Sequence, residues 1–241
     1  MCGRYCLYSS VSSWGQMHFP CWHDDQLATP EIERFNIAPS QKAPVCLADR
    51  NTGYVKFEQM RWGLDCHTVA GGRSLLTNAR AETIEQRVSF AEAFRYRRCL
   101  VPADGFYEWS RVGSKKQPYY FSLASSSVFA MAAIWAQPSG LQGNPNQDAQ
   151  FCVLTTAANS QVSDLHHRMP VIIDPACYHK WLCAPANEIS TVQRLLQSTQ
   201  SNSLKRWPVS TVVNRVAVDT KTCIQKIENP AKLDATQQLL F

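Results

Sequence analysis

The chain has 241 residues, 45% of them apolar and 18% charged, and a net charge of +5. That length supports a sizeable core, and that balance excludes global disorder. No apolar run reaches the roughly eighteen residues of a transmembrane helix, so no membrane partner is expected. Ser9-Ser10-Val11-Ser12-Ser13 stands where a signal peptide would be apolar, which points to a cytoplasmic address. The ten cysteines are spread from Cys2 to Cys223 without a C-x-x-C pair or a histidine at zinc-finger spacing. Neither a disulfide framework nor a metal site follows, and most of these thiols are expected to be reduced core residues.

In chain order, residues 5–30 carry little regular signal, with Trp14, Phe19 and Trp22 packing one face of a helix or loop inward. Arg34 to Pro39 reads as a turn into a strand, because the residue before a proline is pushed to extended geometry. Val45 to Asp49 and Tyr54 to Arg61 form two strands around Asn51-Thr52-Gly53. After Leu75-Leu76-Thr77-Asn78 the period changes: Ile84, Val88, Ala91 and Phe94 predict a helix, with Glu82 and Glu85 in its first turn and Arg95, Arg97 and Arg98 closing it. Cys99 to Pro102 is a buried strand opening into Asp104-Gly105-Phe106-Tyr107-Glu108-Trp109. A hairpin turns at Gly113 to Lys116, and Val128 to Trp135 and Phe151 to Thr156 are further strands. The polar stretch Gln137 to Gln150 is a surface loop. Asn159 to Leu165 predicts a short helix, Asp174-Pro175 starts another through Trp181, Glu188 to Leu196 a third, and Leu204 to Val213 the last strand. The expected fold is α+β: a single domain over residues 2–241, built on a strongly bent, mostly antiparallel, barrel-like sheet with flanking helices.

Four segments place reactive side chains beside turns or strand ends. The first is Met1-Cys2-Gly3-Arg4. Removing Met1 leaves Cys2 with a free α-amine, titrating near ~7.7–8.0, beside a thiol near ~8.5. Such a 1,2-aminothiol reacts with an aldehyde twice, first as an imine and then by sulfur closure to a thiazolidine. From position alone, an early buried cysteine is the competing reading. The second segment is Asn78-Ala79-Arg80-Ala81-Glu82 at a strand-to-helix junction, where Asn78 fits either a helix cap or a cleft. In the third, Phe106 and Glu108 share one strand face, and Tyr107 and Trp109 the other. Glu108 is then either an exposed strand carboxylate or one whose apolar surroundings raise its pKa and suit it to proton transfer. The fourth is His166-His167-Arg168-Met169-Pro170, in which one histidine serves as an acid or base or the two form a surface pair.

Together with Asn36-Ile37-Ala38-Pro39 and Arg61-Trp62-Gly63-Leu64, these segments resemble, in order, the motifs of the SOS response-associated peptidase family, the abasic-site processing family, in its bacterial type. The motifs cover residues 2 to about 215. The resemblance implies a DNA-repair protein without a cofactor that binds single-stranded DNA and crosslinks to abasic sites through Cys2, shielding the lesion from cleavage. It implies a monomer, nucleoid-associated if bacterial, with replication-fork partners unspecified. By position Cys2 matches the nucleophile, Asn78 the residue orienting it, Glu108 the catalytic carboxylate and His166 the histidine that assists sugar opening. DNA contacts are implied for Arg4, Asn36, Pro39, Trp62, Arg80, Phe106 and Arg168, the arginines on phosphates and the aromatic rings on bases. The chain departs from the family's pattern after Asn214, where Val218 stands near a common asparagine. Two alternatives remain: a thiol (auto)peptidase using Cys2, and a non-catalytic single-strand binding module with no use for Cys2, Asn78 and Glu108 together.

Overall fold

The computed structural model describes residues 2–19, 33–49, 52–67, 72–112, 115–125, 127–137, 148–196 and 204–228. The first strands are β1 (Tyr5–Leu7), β2 (Arg34–Ile37), β3 (Lys42–Ala48), β4 (Val55–Trp62), β5 (Leu64–His67), β6 (Arg73–Leu76) and β7 (Asn78–Arg80). They are followed by β8 (Arg98–Ala103), β9 (Gly105–Val112), β10 (Lys115–Leu123), β11 (Phe129–Ala136) and β12 (Gln150–Ala157). Short β13 (Arg168–Pro170), β14 (Ile172–Ile173) and β15 (Leu204–Pro208) complete the set. The helices are α1 (Val11–His18), α2 (Val88–Tyr96), α3 (Tyr178–Cys183) and α4 (Ile189–Leu195). None is long and apolar enough to cross a membrane.

Five strands close on themselves. β3 pairs with β4, β4 runs parallel to β12, β12 pairs with β11, β11 with β8, and β8 returns to β3 at Leu100 opposite Cys46. The closed ring removes its own edges, and its wall is packed on both faces, with Val45, Met131 and Val153 fully buried on one and Leu100 on the other. β7 extends the wall by lying parallel to β12, and β13 pairs with β12 on the other side. A second, antiparallel sheet has the order β15-β10-β9-β1-β2. The expected bent, barrel-like α+β architecture is therefore observed.

One continuous stretch joins the two sheets. β8 belongs to the barrel and β9 to the second sheet, and the chain changes sheet at Asp104. The Asp104 carboxylate fixes that corner by accepting from Tyr8 N (2.7 Å), Ser9 N (2.9 Å) and Ser9 Oγ (2.5 Å). Gly105 is required by contact: a Cβ there would lie 2.4 Å from both the Tyr120 hydroxyl oxygen and the Phe121 carbonyl oxygen.

The second sheet is covered on both faces, and the period-2 alternation sorts its residues. Tyr5, Leu7, Phe106 and Phe121 join the main core shared with the barrel. Cys6, Phe35, Tyr107 and Tyr120 point the other way, onto Val209, Val213 and Cys223 of the C-terminal segment. Nine cysteines among the described residues are free, six of them buried.

Several elements differ from expectation. The helix read from Ile84 onward starts only at Val88; before it, Ala81–Thr83 form a single 3-10 turn. Ile84 is buried as part of that turn, whereas Val88 is 97% exposed. Glu82 was read as complementing a helix dipole, but a tertiary partner, Arg168, claims it. Arg34 to Pro39 is a strand entering a turn, and Leu204 to Val213 is a strand only to Pro208. Residues 160–165 make turns rather than a helix, because their side chains are drawn to β15 as described below. The turn placed at Gly113 and Ser114, the loop across residues 138–147, and Trp22 lie outside the described residues. Arg98, read only as closing the helix, is 3% exposed and donates to the carbonyls of Phe94 (2.9 Å), Arg95 (2.8 Å), Trp181 (2.6 Å) and Ala184. One guanidinium thereby serves the C-terminal ends of both α2 and α3.

Candidate active site

The site lies where the two sheets meet. Cys2 lies three residues before the start of β1, which is zipped between β2 and β9 with Tyr5 opposite Phe106 and Cys6 opposite Gly105. The antiparallel register carries the start of the chain toward Glu108, and Tyr107 N donates to Arg4 O at 3.0 Å. Cys2 is fully buried. Burial pushes its thiol up to about 12, and the charge of Glu108 adds to the effect.

Glu108 is 3% exposed on the strand face that Phe106 shares, so the exposed-carboxylate alternative falls. Burial pushes its carboxyl up to about 7, against the opposing charge of the chain's amino terminus. A carboxyl near 7 is populated both as acid and as base at neutral pH, which suits it to proton transfer in either direction.

The barrel supplies the facing groups. Asn78 opens β7, held opposite Val153 of β12. Its Nδ2 donates to Cys2 O (3.0 Å) and Thr77 Oγ1 (3.1 Å). Its Oδ1 is buried without a hydrogen-bond partner among the described residues. Asn78 is no helix cap, since the next helix begins at Val88.

His166 precedes β13. Its imidazole pKa is lowered, by burial first. The turn that carries it is tied to the other sheet: Gln161 Nε2 donates to Leu204 O (2.7 Å) and Leu204 N donates to Gln161 Oε1 (3.0 Å). Arg206 of β15 donates to both oxygens of Asp164 at 2.6 and 2.7 Å. His167 is exposed and stacks on His166 with ring centroids 4.5 Å apart.

Thus Asn78 and Glu108 meet Cys2 from separate segments, and His166 stands just before β13, which flanks β12 as β7 does. The residues expected to touch DNA divide. Arg80 is exposed and makes no ion pair among the described residues; Pro39 is half-buried at the turn after β2. Arg4 is half-buried and donates to Asn36 Oδ1 (2.6 Å) and Val213 O (2.8 Å), with its guanidinium 6.0 Å from the Trp109 ring centroid. Asn36 is fully buried, and its Nδ2 donates to Val213 O (3.1 Å), Arg215 O (3.1 Å) and Val218 O (2.6 Å). Its amide is spent inside the protein. The departure at Val218 costs nothing here, because the bond uses a backbone carbonyl that any residue provides.

The stacking surfaces expected of Trp62 and Phe106 are corrected by burial. Trp62 is fully buried, stacks on Phe151 and donates Nε1–H to Thr77 O at 2.9 Å. Phe106 is fully buried against Phe121, with centroids 5.0 Å apart. Neither ring offers a face to a base. Arg168 is also enclosed, its guanidinium forked onto the Glu82 carboxylate at 2.8 Å on each branch. Two contributors escaped sequence reasoning. Glu82 was read only locally, and Asp219, which binds Arg34 and the amides of Phe35 (2.5 Å) and Asn36 (2.8 Å), carries no local signal of partners so distant along the chain. Among the described residues, no group of three or more His, Cys, Asp or Glu side chains is arranged to hold a metal ion.

Comparison with known proteins agrees with the motifs. The SOS response associated peptidase family model matches residues 1–216. The chain is 32% identical to abasic site processing protein YoqW of Bacillus subtilis over 220 residues, covering 89% of this chain and 94% of that protein. It is 28% identical to abasic site processing protein YedK of Escherichia coli, covering 79% and 90%, and 28% identical to abasic site processing protein HMCES of Gallus gallus, covering 93% and 74%. A crystal structure of a protein from Bacteroides thetaiotaomicron superposes with a TM-score of 0.74 at 22% identity, covering 94% of this chain and all of that one, and shows the same fold. The chain belongs to the SOS response associated peptidase family.

Proposed function

We propose that this protein processes abasic sites in single-stranded DNA by a covalent reaction of Cys2 with the open-chain deoxyribose aldehyde. The observation that carries this reading is the convergence on Cys2: Asn78 holds its carbonyl at 3.0 Å, and Glu108 is close enough for its charge to raise the thiol's pKa. Once Met1 is removed, the Cys2 amine adds to the aldehyde carbon and loses water to form an imine. The Asn78 Oδ1, buried and otherwise unused, is available to orient the amine. Sγ then adds to the imine carbon, the thiol proton passes by way of Glu108 to the imine nitrogen, and the five-membered thiazolidine closes. A thiol pushed up to about 12 needs such a base, since little thiolate forms unaided. Sulfur closure matters because an imine alone invites β-elimination and strand cleavage. His166 assists the preceding step, opening of the sugar ring to the aldehyde.

A peptidase nucleophile is less well served by this site, because a fully buried, protonated thiol is a poor attacker of an amide. The test is incubation with matched abasic and intact single-stranded oligonucleotides after verifying Met1 removal by intact mass. A heat-stable adduct confined to the abasic strand is expected. Adducts on both strands, or on neither, would overturn the reading.

A further inference from the structure

We propose that Arg168 is a positioning residue for His166, and that Glu82, acting through Arg168, holds the imidazole as the tautomer with its hydrogen on Nε2. Arg168 is 9% exposed, and its guanidinium is committed within the protein. Nη1 and Nη2 donate to the two Glu82 oxygens at 2.8 Å each, and Nη2 also donates to Thr155 O at 2.5 Å. A phosphate would have to displace Glu82 to reach this fork.

The same residue meets His166 through its backbone. Arg168 N lies 2.9 Å from His166 Nδ1, and Arg168 O lies 3.1 Å from that nitrogen. An amide nitrogen only donates, whereas Nδ1 donates or accepts according to tautomer. The closer, fixed donor decides: Nδ1 accepts, and the neutral ring carries its hydrogen on Nε2. Moving the hydrogen to Nδ1 would satisfy the carbonyl but set two N–H groups against each other. The lock depends on where the backbone of β13 sits, with Arg168 opposite Ala157 of β12. Glu82 sits in the 3-10 turn directly after β7, the strand that carries Asn78. The Glu82–Arg168 pair therefore ties the two barrel-side groups of the site to each other. In catalytic terms His166 offers a hydrogen-bond donor at Nε2, suited to polarise the ring oxygen as the sugar opens while the proton stays on the imidazole.

The tautomer follows from geometry alone; its effect on rate rests on the function proposed above. In full-length protein labelled with 15N-histidine, long-range proton–nitrogen correlation near neutral pH reports which ring nitrogen holds the hydrogen, with His166 assigned by the signals lost in His166→Asn. Wild type should show Nε2–H. Glu82→Gln, Arg168→Ala and Arg168→Lys should each show mixed tautomers, since lysine keeps the charge but lacks the fork. Adduct formation should slow roughly 10- to 100-fold in all three, with an unchanged salt dependence of single-strand binding. Glu82→Gln keeps the inference testable if Arg168→Ala fails to fold, because Glu82 is 48% exposed. Nδ1–H in wild type, or pure Nε2–H in every variant, would overturn the lock. So would a salt slope lowered by about one phosphate in Arg168→Ala, which would return this arginine to DNA. If the lock behaves as expected while wild type forms no adduct with abasic DNA, the tautomer assignment stands and the proposed reaction falls.

Discussion

The two faces of the second sheet bury polar groups in opposite ways. On the outer face, Asn36 gives its amide to three carbonyls, Asp219 accepts from Arg34 and two backbone amides, and Arg4 is held by Asn36 and Val213 through Nη1, its Nε alone being buried without a partner among the described residues. At the inner face, Glu108 is pushed up to about 7, and Asn78 of the facing barrel strand β7 has a buried oxygen without a partner among the described residues. Burial is similar; saturation is not. A buried polar group whose bonds are all made holds a fold together, while one with unspent capacity or a displaced pKa is ready for chemistry.

Four predictions test that contrast. The largest effect belongs to Cys2→Ala, which should abolish the heat-stable adduct while single-strand binding, measured by fluorescence anisotropy, survives. An adduct as durable as wild type's from Cys2→Ala or Cys2→Ser would remove the sulfur from the mechanism.

Glu108→Gln keeps shape but cannot exchange a proton at neutral pH, so both formation and reversal of the adduct should slow by about 10²–10⁴-fold. Time courses with and without a competing abasic strand measure the two directions. The same variant has a stability signature. The Glu108 carboxyl rises from its ordinary 4.5 to about 7 in the fold. Between those values the native protein retains a proton that the unfolded chain has released. Stability is therefore lost as pH rises through this window, by on the order of 3 kcal/mol once pH is above 7. Glu108→Gln should lack that loss, so its Tm advantage over wild type should be larger at pH 8 than at pH 5. A pH-independent difference would mean that the carboxyl is not displaced.

On the outer face the effect should be on stability. Asn36→Ala removes the amide bonds to Arg215 O and Val218 O and one arginine contact, Val213 O keeping Arg4, and should cost about 2–4 kcal/mol in urea denaturation at constant m-value. The adduct rate per folded molecule should change much less. A rate loss as large as that of Glu108→Gln would erase the distinction between the faces. The smallest effect is at Arg80, exposed beside the site. Arg80→Ala should reduce the slope of log K against log salt for single strands by about 0.7, one phosphate's worth. Superimposable salt titrations would place Arg80 outside the DNA path.

Much of this was legible in the sequence because it is local. Alternation in Phe106-Tyr107-Glu108-Trp109 correctly assigned the faces, and Asp174 before Pro175 marked a helical start, its carboxylate accepting from Ala176 N at 2.9 Å. What was not legible is tertiary. Glu82 looked like a first-turn helix residue until Arg168, 86 residues away in sequence, claimed it. Trp62 and Phe106 sit in motifs that suggest exposed aromatic platforms, but nothing local distinguishes a ring that stacks on a base from one that stacks on Phe151 or Phe121. Asn159 to Leu165 has helical spacing, yet Gln161 and Asp164 bind β15 instead.

The pairing of β1 with β9 also sets a timetable. The first strand can pair with β2 early, but its second neighbour arrives only when Gly105 and Phe106 have been made, about a hundred residues later, and the Val213 and Asp219 contacts come later still. At ~5–20 residues per second, ribosomal synthesis leaves the β9 side of the first strand open for roughly 5–20 seconds or more. Under the function proposed here, that interval is when a peptidase reaches the Met1–Cys2 bond, because Cys2 is afterwards fully enclosed. Maturation of the nucleophile is then a race between an aminopeptidase and the folding of the distant strand. Purified protein that still carries Met1 should resist trimming when native and yield to it when unfolded, with intact mass as the readout.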